Sequence, residues 1–201
     1  MGKLYLVRHS ITSLNSDDYD KKQKERIRGW LDVPLSDDGW KKAEKAADVL
    51  RDKNIIAIFS SNLIRAKQTA GIISKENDAP VITTPLLRPW NVGIIEGMPH
   101  EPGTKIMKLY VKYRPTLAIR GGEPYITFYK RWKYALTKLL VATEKLPENY
   151  SICAVTHSRN IYSLPNILSG GTAPILFSGL LNPAGILEID PHKNEISIIE
   201  N

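Results

Sequence analysis

Residues 4–10 read LYLVRHS, and residues 151–158 read SICAVTHS. Each is an apolar, strand-like run that ends abruptly in a histidine followed by a serine. A run with no polar face fits a strand covered on both sides, the normal situation in a parallel sheet. Two such strands ending in the same chemistry raise the question of what else arrives beside them. IIAIFSS (55–61) is a third strand of this kind, and PVITT (80–84) a fourth.

Helical patterns fill the intervals. LSDDGWKKAEKAADVLRDKN (35–54) carries Trp40, Ala43, Ala46, Ala47 and Leu50 at helical spacing, with Ser36 or Asp37 available as N-cap. LIRAKQTAGIISKEN (63–77) reads as a helix. YITFYKRWKYALTKLLVATEK (125–145) reads as a long amphipathic helix with Phe128, Trp132, Leu136 and Leu139 or Leu140 inside. RNIYSLPNILSG (159–170) is helical with a proline interruption, and AGILEID and EISIIE form a hairpin across PHKN. Alternating strands and helices predict an α/β fold, a three-layer sandwich whose mostly parallel central sheet is flanked by helices. The 201 residues fit one domain. Residues 86–124, rich in Pro and Gly, read as long loops or a cap-like insertion over the sheet's carboxyl edge. The charge-dense stretch 17–28 reads as a solvated loop or short helix.

Composition narrows the setting. A formal net charge of +7 favours anionic partners without choosing among them. No apolar run approaches the ~20 residues that span a bilayer, and MGKLYLVRH lacks the hydrophobic core of a signal peptide. Cys153 is the lone cysteine, so no disulfide framework is expected, and a cytoplasmic location follows as the expectation.

In sheets of this kind, sites form at the carboxyl ends of strands. That rule gathers RHS (8–10), SSNLIR (60–65) and THS (156–158), bringing Arg8, His9, Arg65 and His157 together with Ser61 and Ser158 nearby. Arginine repels cations, and no further ligand stands at metal spacing, so no metal is expected. No serine sits in a glycine-flanked elbow, which disfavours a serine triad. Two guanidinium forks converging on one point suit phosphoryl oxygens, and a histidine among them can attack phosphorus. The basic-aromatic stretches KIMKLYVKYR (105–114) and FYKRWKY (128–134) could stack on nucleic acid, but an amphipathic helix pair with its lysines in water is the simpler reading. Nucleic acid is not expected as a partner.

LVRHS with Asn15, RIRGWLDVPLSDDG (26–39), SSNLIRAKQTA (60–70), RGGE (120–123) and AVTHSRNI (154–161) together resemble the successive signatures of the histidine phosphatase superfamily, in its phosphoglycerate-mutase-like branch. The resemblance implies a six-stranded α/β sandwich and no cofactor. It implies His9 as the nucleophile that becomes phosphohistidine, Arg8 and Arg65 as phosphoryl ligands, and His157 as the partner that stabilises the transferring group. Asn15 would assist phosphate binding, and Arg26 or Gly29 would line the mouth. Ser10 and Ser158 stand where the family commonly has glycine and would add polar groups near the phosphate. Arg159 reads as a surface helix residue, and His100 and His192 as turn residues without a special role.

The largest departure lies in LLRPWNVGIIEG (86–97). Pro89 occupies the position of the family's proton-donating glutamate, and proline cannot donate a proton. Glu96 and Glu123 are the remaining candidates for that task. A substrate with a good leaving group (an acyl phosphate, a phosphoramidate or a pyrophosphate) needs less acid assistance. The expectation is a metal-independent phosphatase acting on a small phosphorylated substrate. Its rivals are a phosphoglycerate-mutase-type phosphotransferase and a phospho-ligand or nucleic-acid-binding protein with impaired catalysis.

Overall fold

The computed structural model describes residues 2–15, 25–170, 181–193 and 195–200. Six strands form one sheet: β1 (Lys3–Arg8), β2 (Ile55–Ser61), β3 (Val81–Thr84), β4 (Ser151–Thr156), β5 (Ile186–Asp190) and β6 (Glu195–Glu200). Their spatial order is β3-β2-β4-β1-β5-β6. The first four are mutually parallel, whereas β5 runs antiparallel to β1 and β6 antiparallel to β5. The helices are α1 (Asp37–Leu50), α2 (Ile64–Asn77), α3 (His100–Tyr113), α4 (Tyr125–Glu144), α5 (Ser158–Tyr162) and α6 (Leu164–Leu168).

Alternation along the strands divides the core into two layers. Leu4 and Leu6 of β1 and Ile152 and Ala154 of β4 join Phe128, Trp132 and Leu136 of α4 on one side. Tyr5, Val7, Cys153 and Val155 meet Ala43, Ala46, Ala47, Ala66 and Ala70 of α1 and α2 on the other. Small alanines let those two helices lie close to the sheet. Each large side chain fully buried on the α4 side, such as Trp132, contributes roughly 1.5–3 kcal/mol by leaving water. This is the three-layer sandwich read from the sequence.

Ser36 caps α1, its hydroxyl accepting from Gly39 N at 3.2 Å, and Asp37 and Asp38 in the first turn suit the helix dipole. Trp40 departs from the expected apolar face: it is 40% exposed, while Ala43, Ala46, Ala47 and Leu50 of the same helix are buried. The stretch 86–124 is less irregular than its proline and glycine content suggests. It contains α3, which buries Met107 and Val111 while Lys105, Lys108 and Lys112 face solvent. Among the described residues no helix is long and apolar enough to cross a membrane.

The register decides where function can sit. Arg8 pairs with Thr156, and Ser60 with Val155, so β1, β4 and β2 end side by side. The residues that follow, His9, His157 and the start of α2, are thereby delivered to one place.

Candidate active site

His9 leaves β1 held by its backbone, with its N–H donating to Thr156 O at 2.9 Å. Its ring nitrogen Nδ1 lies 2.7 Å from Ser10 O. A carbonyl oxygen only accepts, so Nδ1 carries the proton and Nε2 holds the lone pair. The His157 ring stands 5.0 Å from that of His9, centroid to centroid, at 59°. Both nitrogens of His157 are buried and lack a hydrogen-bond partner among the described residues, and so does Arg65 Nε. Buried polar atoms left this way are costly unless something enters to meet them.

Arg65 lies in the first turn of α2 and is 1% exposed. Its two terminal nitrogens donate to Leu31 O (2.6 Å) and Gly29 O (2.8 Å), which ties α2 to the 29–31 loop. That loop turns at Gly29 (φ +49°), where a Cβ would run into the Glu96 carboxylate. Arg8 donates to Leu181 O at 2.7 Å. Arg28 donates to Leu14 O at 3.3 Å and faces Glu25 at 3.6 Å.

All of these groups but Arg8, which is not part of the wall, open onto a cleft whose empty space, its opening to solvent included, is about 480 Å³. His9, Arg28, Arg65, His157 and Arg159 contribute to its walls, and among the described residues no carboxylate does. The electrostatics follow from that crowding. Burial, and then the charge of Arg65, hold the His9 and His157 imidazoles well below their usual range, so both are neutral near pH 7. Burial also lowers the guanidinium of Arg65 to about 9 and that of Arg28 to about 10, with Arg28 the next contributor for the first and Arg8 for the second. An anion in the cleft would relieve all four shifts at once. The donor set is poor for a metal, and no group of three His, Cys, Asp or Glu side chains suited to one occurs among the described residues.

The sequence profile of the histidine phosphatase superfamily, branch 1, matches residues 4–200. The chain belongs to that family. A relative in Yersinia pestis, named "Probable phosphoglycerate mutase GpmB", is 31% identical over 174 residues, which is 85% of this chain and 76% of that one. The alpha-ribazole phosphatase of Shigella flexneri shares the fold at a TM-score of 0.77 and 20% identity, covering 98% of this chain and 95% of its own. A mycobacterial glucosyl-3-phosphoglycerate phosphatase in complex with VO3 gives 0.76 at 22% identity, covering 99% and 98%.

Within this histidine phosphatase chain the residues singled out by sequence fare differently. His9, Arg65, His157, Ser158, Gly29 and Arg26 line the cleft, Arg26 at the mouth, where it donates to Gly97 O at 2.8 Å. Ser10 does not offer its hydroxyl to the cleft. The hydroxyl donates to Gly39 O at 2.7 Å, while Ser10 N donates to Thr69 Oγ1 at 3.1 Å. Its backbone is not in the left-handed region, so glycine's freedom is not required there. Asn15 closes a turn instead, its Oδ1 accepting from Thr12 N and Thr12 Oγ1, both at 3.0 Å.

Neither candidate acid reaches the cleft wall. Glu96 Oε1 accepts from Trp30 N at 2.8 Å and Val92 N at 3.3 Å, and burial raises its carboxyl. Glu123 is paired with Arg131 at 2.7 Å and accepts from Asn91 N at 3.1 Å. Pro89 does line the cleft. Three further wall residues escape the sequence reading. Arg159 and His100 belong to the cleft wall rather than to the surface and a turn, because α5 and α3 both begin at its rim. Arg28 is the third. In extended chain, residues two apart face the same side, so Arg26 at the mouth is itself a signal for Arg28.

Proposed function

We propose that the protein is a metal-independent phosphatase acting through a phosphohistidine on a small phosphorylated substrate. Family membership supports an enzyme acting on phosphate esters. The observation that carries the finer reading is the His9 ring, with Nδ1 fixed by Ser10 O and Nε2 left as a neutral lone pair in a cleft walled by arginine.

The Nε2 lone pair attacks phosphorus, and the bond from phosphorus to the leaving oxygen breaks, that oxygen keeping the electron pair. Arg8, Arg28, Arg65 and His157 stabilise the equatorial oxygens as charge spreads over them. Water then attacks the phosphohistidine, the P–N bond breaks, and Nε2 recovers its lone pair as phosphate leaves with the water's oxygen. The proton on Nδ1 stays where it is throughout. Among the described residues no carboxylate stands in the wall, so the leaving oxygen departs as an anion or takes its proton from water. Substrates with acidic leaving groups are therefore favoured, among them acyl phosphates, phosphoramidates, pyrophosphates and aryl phosphates.

The name of the Yersinia relative favours a second reading, phosphoryl transfer between positions of a phosphoglycerate. An aryl phosphate assay with wild type and His9→Ala tests the first: equal, slow phosphate release by both would end it. Redistribution of phosphate between the positions of a phosphoglycerate, without net release, would establish the second instead.

A further inference from the structure

The basic-aromatic stretch 105–114 falls almost wholly within α3. Met107 on the inner side of that helix lines the cleft, and none of the side chains on its outer side does. At 3.6 residues per turn the outer side divides into two neighbouring rows. Lys105, Lys108 and Lys112 make one row, and all three are exposed. Ile106, Leu109 and Tyr113 make the other. Ile106 is half-buried against the core, whereas Leu109 is 57% and Tyr113 65% exposed. Leu117, 54% exposed, lies in the turn just beyond the helix, its N–H donating to Arg114 O at 3.0 Å. The charge is equally lopsided. Residues 97–122 hold five lysines and arginines against one carboxylate, a net +4 of the chain's +7. That carboxylate, Glu101, is paired with Lys105 at 2.7 Å, and among the described residues Lys108 and Lys112 pair with none. Lys112 Nζ instead lies 4.9 Å from the centre of the Tyr113 ring. A helix that meets only water is polar on its outer side, yet α3 leaves a leucine and a tyrosine there.

We propose that the outer side of α3 is a docking surface for an anionic lipid membrane, on which the helix lies flat. A helix with lysines beside an apolar row settles at the headgroup boundary, the apolar row entering it and the ammonium groups meeting lipid phosphates. Lying on a membrane asks only for such a face, where crossing one asks for ~20 apolar residues. Each lysine held near an anionic leaflet adds attraction, and a tyrosine suits the interface with its apolar ring and wet hydroxyl. Leu109 and Leu117 favour lipid over nucleic acid, because an aliphatic side chain offers no ring on which a base can stack. His100, the first residue of α3, is in the cleft wall, so docking would keep the cleft within about one helix length, ~21 Å, of the surface. The proposal stands apart from the phosphatase reading, since none of the residues of this face lines the cleft.

Co-sedimentation with sucrose-loaded vesicles tests the surface, comparing phosphatidylcholine alone with phosphatidylcholine to which phosphatidylglycerol is added. Wild type should bind the anionic vesicles about tenfold or more tightly than the neutral ones. Lys108→Glu combined with Lys112→Glu should bring the two affinities together. Leu109→Ser combined with Tyr113→Ser leaves the charge unchanged and should weaken binding to the anionic vesicles by about tenfold. Both pairs lie on the surface, so the variants should keep the wild-type melting temperature and aryl phosphate turnover, which separates lost docking from lost folding. Equal affinity of wild type for the two kinds of vesicle would overturn the proposal, as would an unchanged preference in the lysine variant. Undiminished binding of the Leu109 and Tyr113 variant would also overturn it, reducing the effect to the general attraction of a basic protein. A single-stranded oligonucleotide that binds wild type more tightly than the anionic vesicles, and displaces it from them, would assign the face to nucleic acid instead.

Discussion

The His9 and His157 rings lie 5.0 Å apart, and both are held neutral by burial and by the arginines around them. In the unfolded chain both would protonate near pH ~6.5. Their folded pKa values are lower, so between the two the unfolded state binds more protons. Stability should accordingly fall as pH drops from about 7 to 5, by at most ~1.4 kcal/mol per pH unit for each imidazole. Inorganic phosphate should flatten that loss, since a bound anion favours imidazolium. Thermal melts across this range, with and without phosphate, would show it. A shallower slope in His157→Gln would assign part of it to that ring, and a melting temperature insensitive to pH would contradict the prediction.

His9→Ala should abolish phosphoenzyme formation, read as acid-labile label retained after rapid quenching with a labelled substrate. Arg65→Ala should weaken vanadate inhibition by about tenfold or more, the scale of a lost charge-assisted hydrogen bond. It should also lower the melting temperature, because the Leu31 and Gly29 carbonyls lose their donor. Unchanged vanadate inhibition would remove Arg65 from the phosphoryl site.

Pro89→Glu should place a carboxyl in the cleft wall, where none stands among the described residues. Turnover of alkyl phosphates should rise by ~10²-fold, the lower end of what a positioned acid supplies. Aryl phosphates, whose leaving groups need little protonation, should change far less. Comparable gains for both classes would show that the effect is not proton donation.

Arg131 should prove essential to the wall that carries Pro89. It donates to the carbonyls of Pro85 (3.2 Å), Leu86 (3.2 Å), Arg88 (2.9 Å) and Pro89 (3.2 Å) while paired with Glu123. Arg131→Gln should destabilise by about 3 kcal/mol, since it leaves a mostly buried carboxylate and several carbonyls short of partners. Chemical denaturation measures this, and a loss under ~1 kcal/mol would mean that the loop holds itself.

Gly39→Ala should cost ~1–3 kcal/mol by overpacking, because a Cβ there meets the Ile11 carbonyl. The same residue accepts the Ser10 hydroxyl, so the variant should also slow turnover by displacing the loop after His9. Normal kinetics with reduced stability would separate the two roles.

Much of the fold and the heart of the site are legible in the sequence, for a physical reason. Strands apolar on both faces have one stable placement, inside a parallel sheet, and their ends then meet whatever their side chains are. That logic brings His9, His157 and Arg65 together. It fails where position depends on packing between distant elements. Trp40 has the right spacing, yet it stays largely in solvent while the alanines of α1 fill the layer against α2. Ser10 has the right neighbours, yet its hydroxyl finds Gly39 O across 29 residues of sequence. Arg159 has the pattern of an ordinary helix arginine, and only the approach of α3 encloses it. Glu96 and Glu123 lie in the right region, and only their hydrogen bonds reveal that loop backbones and Arg131 occupy them.

The grip of Arg131 has a consequence for how such a protein can change over generations. Four carbonyls are grasped, and carbonyls are common to every residue type. The wall's shape is thus nearly indifferent to which side chain stands at position 89. A lineage could exchange a proton donor for a proline there, or restore it, without first rebuilding the scaffold around it. Selection on leaving-group preference and selection on folding would then act on separate residues.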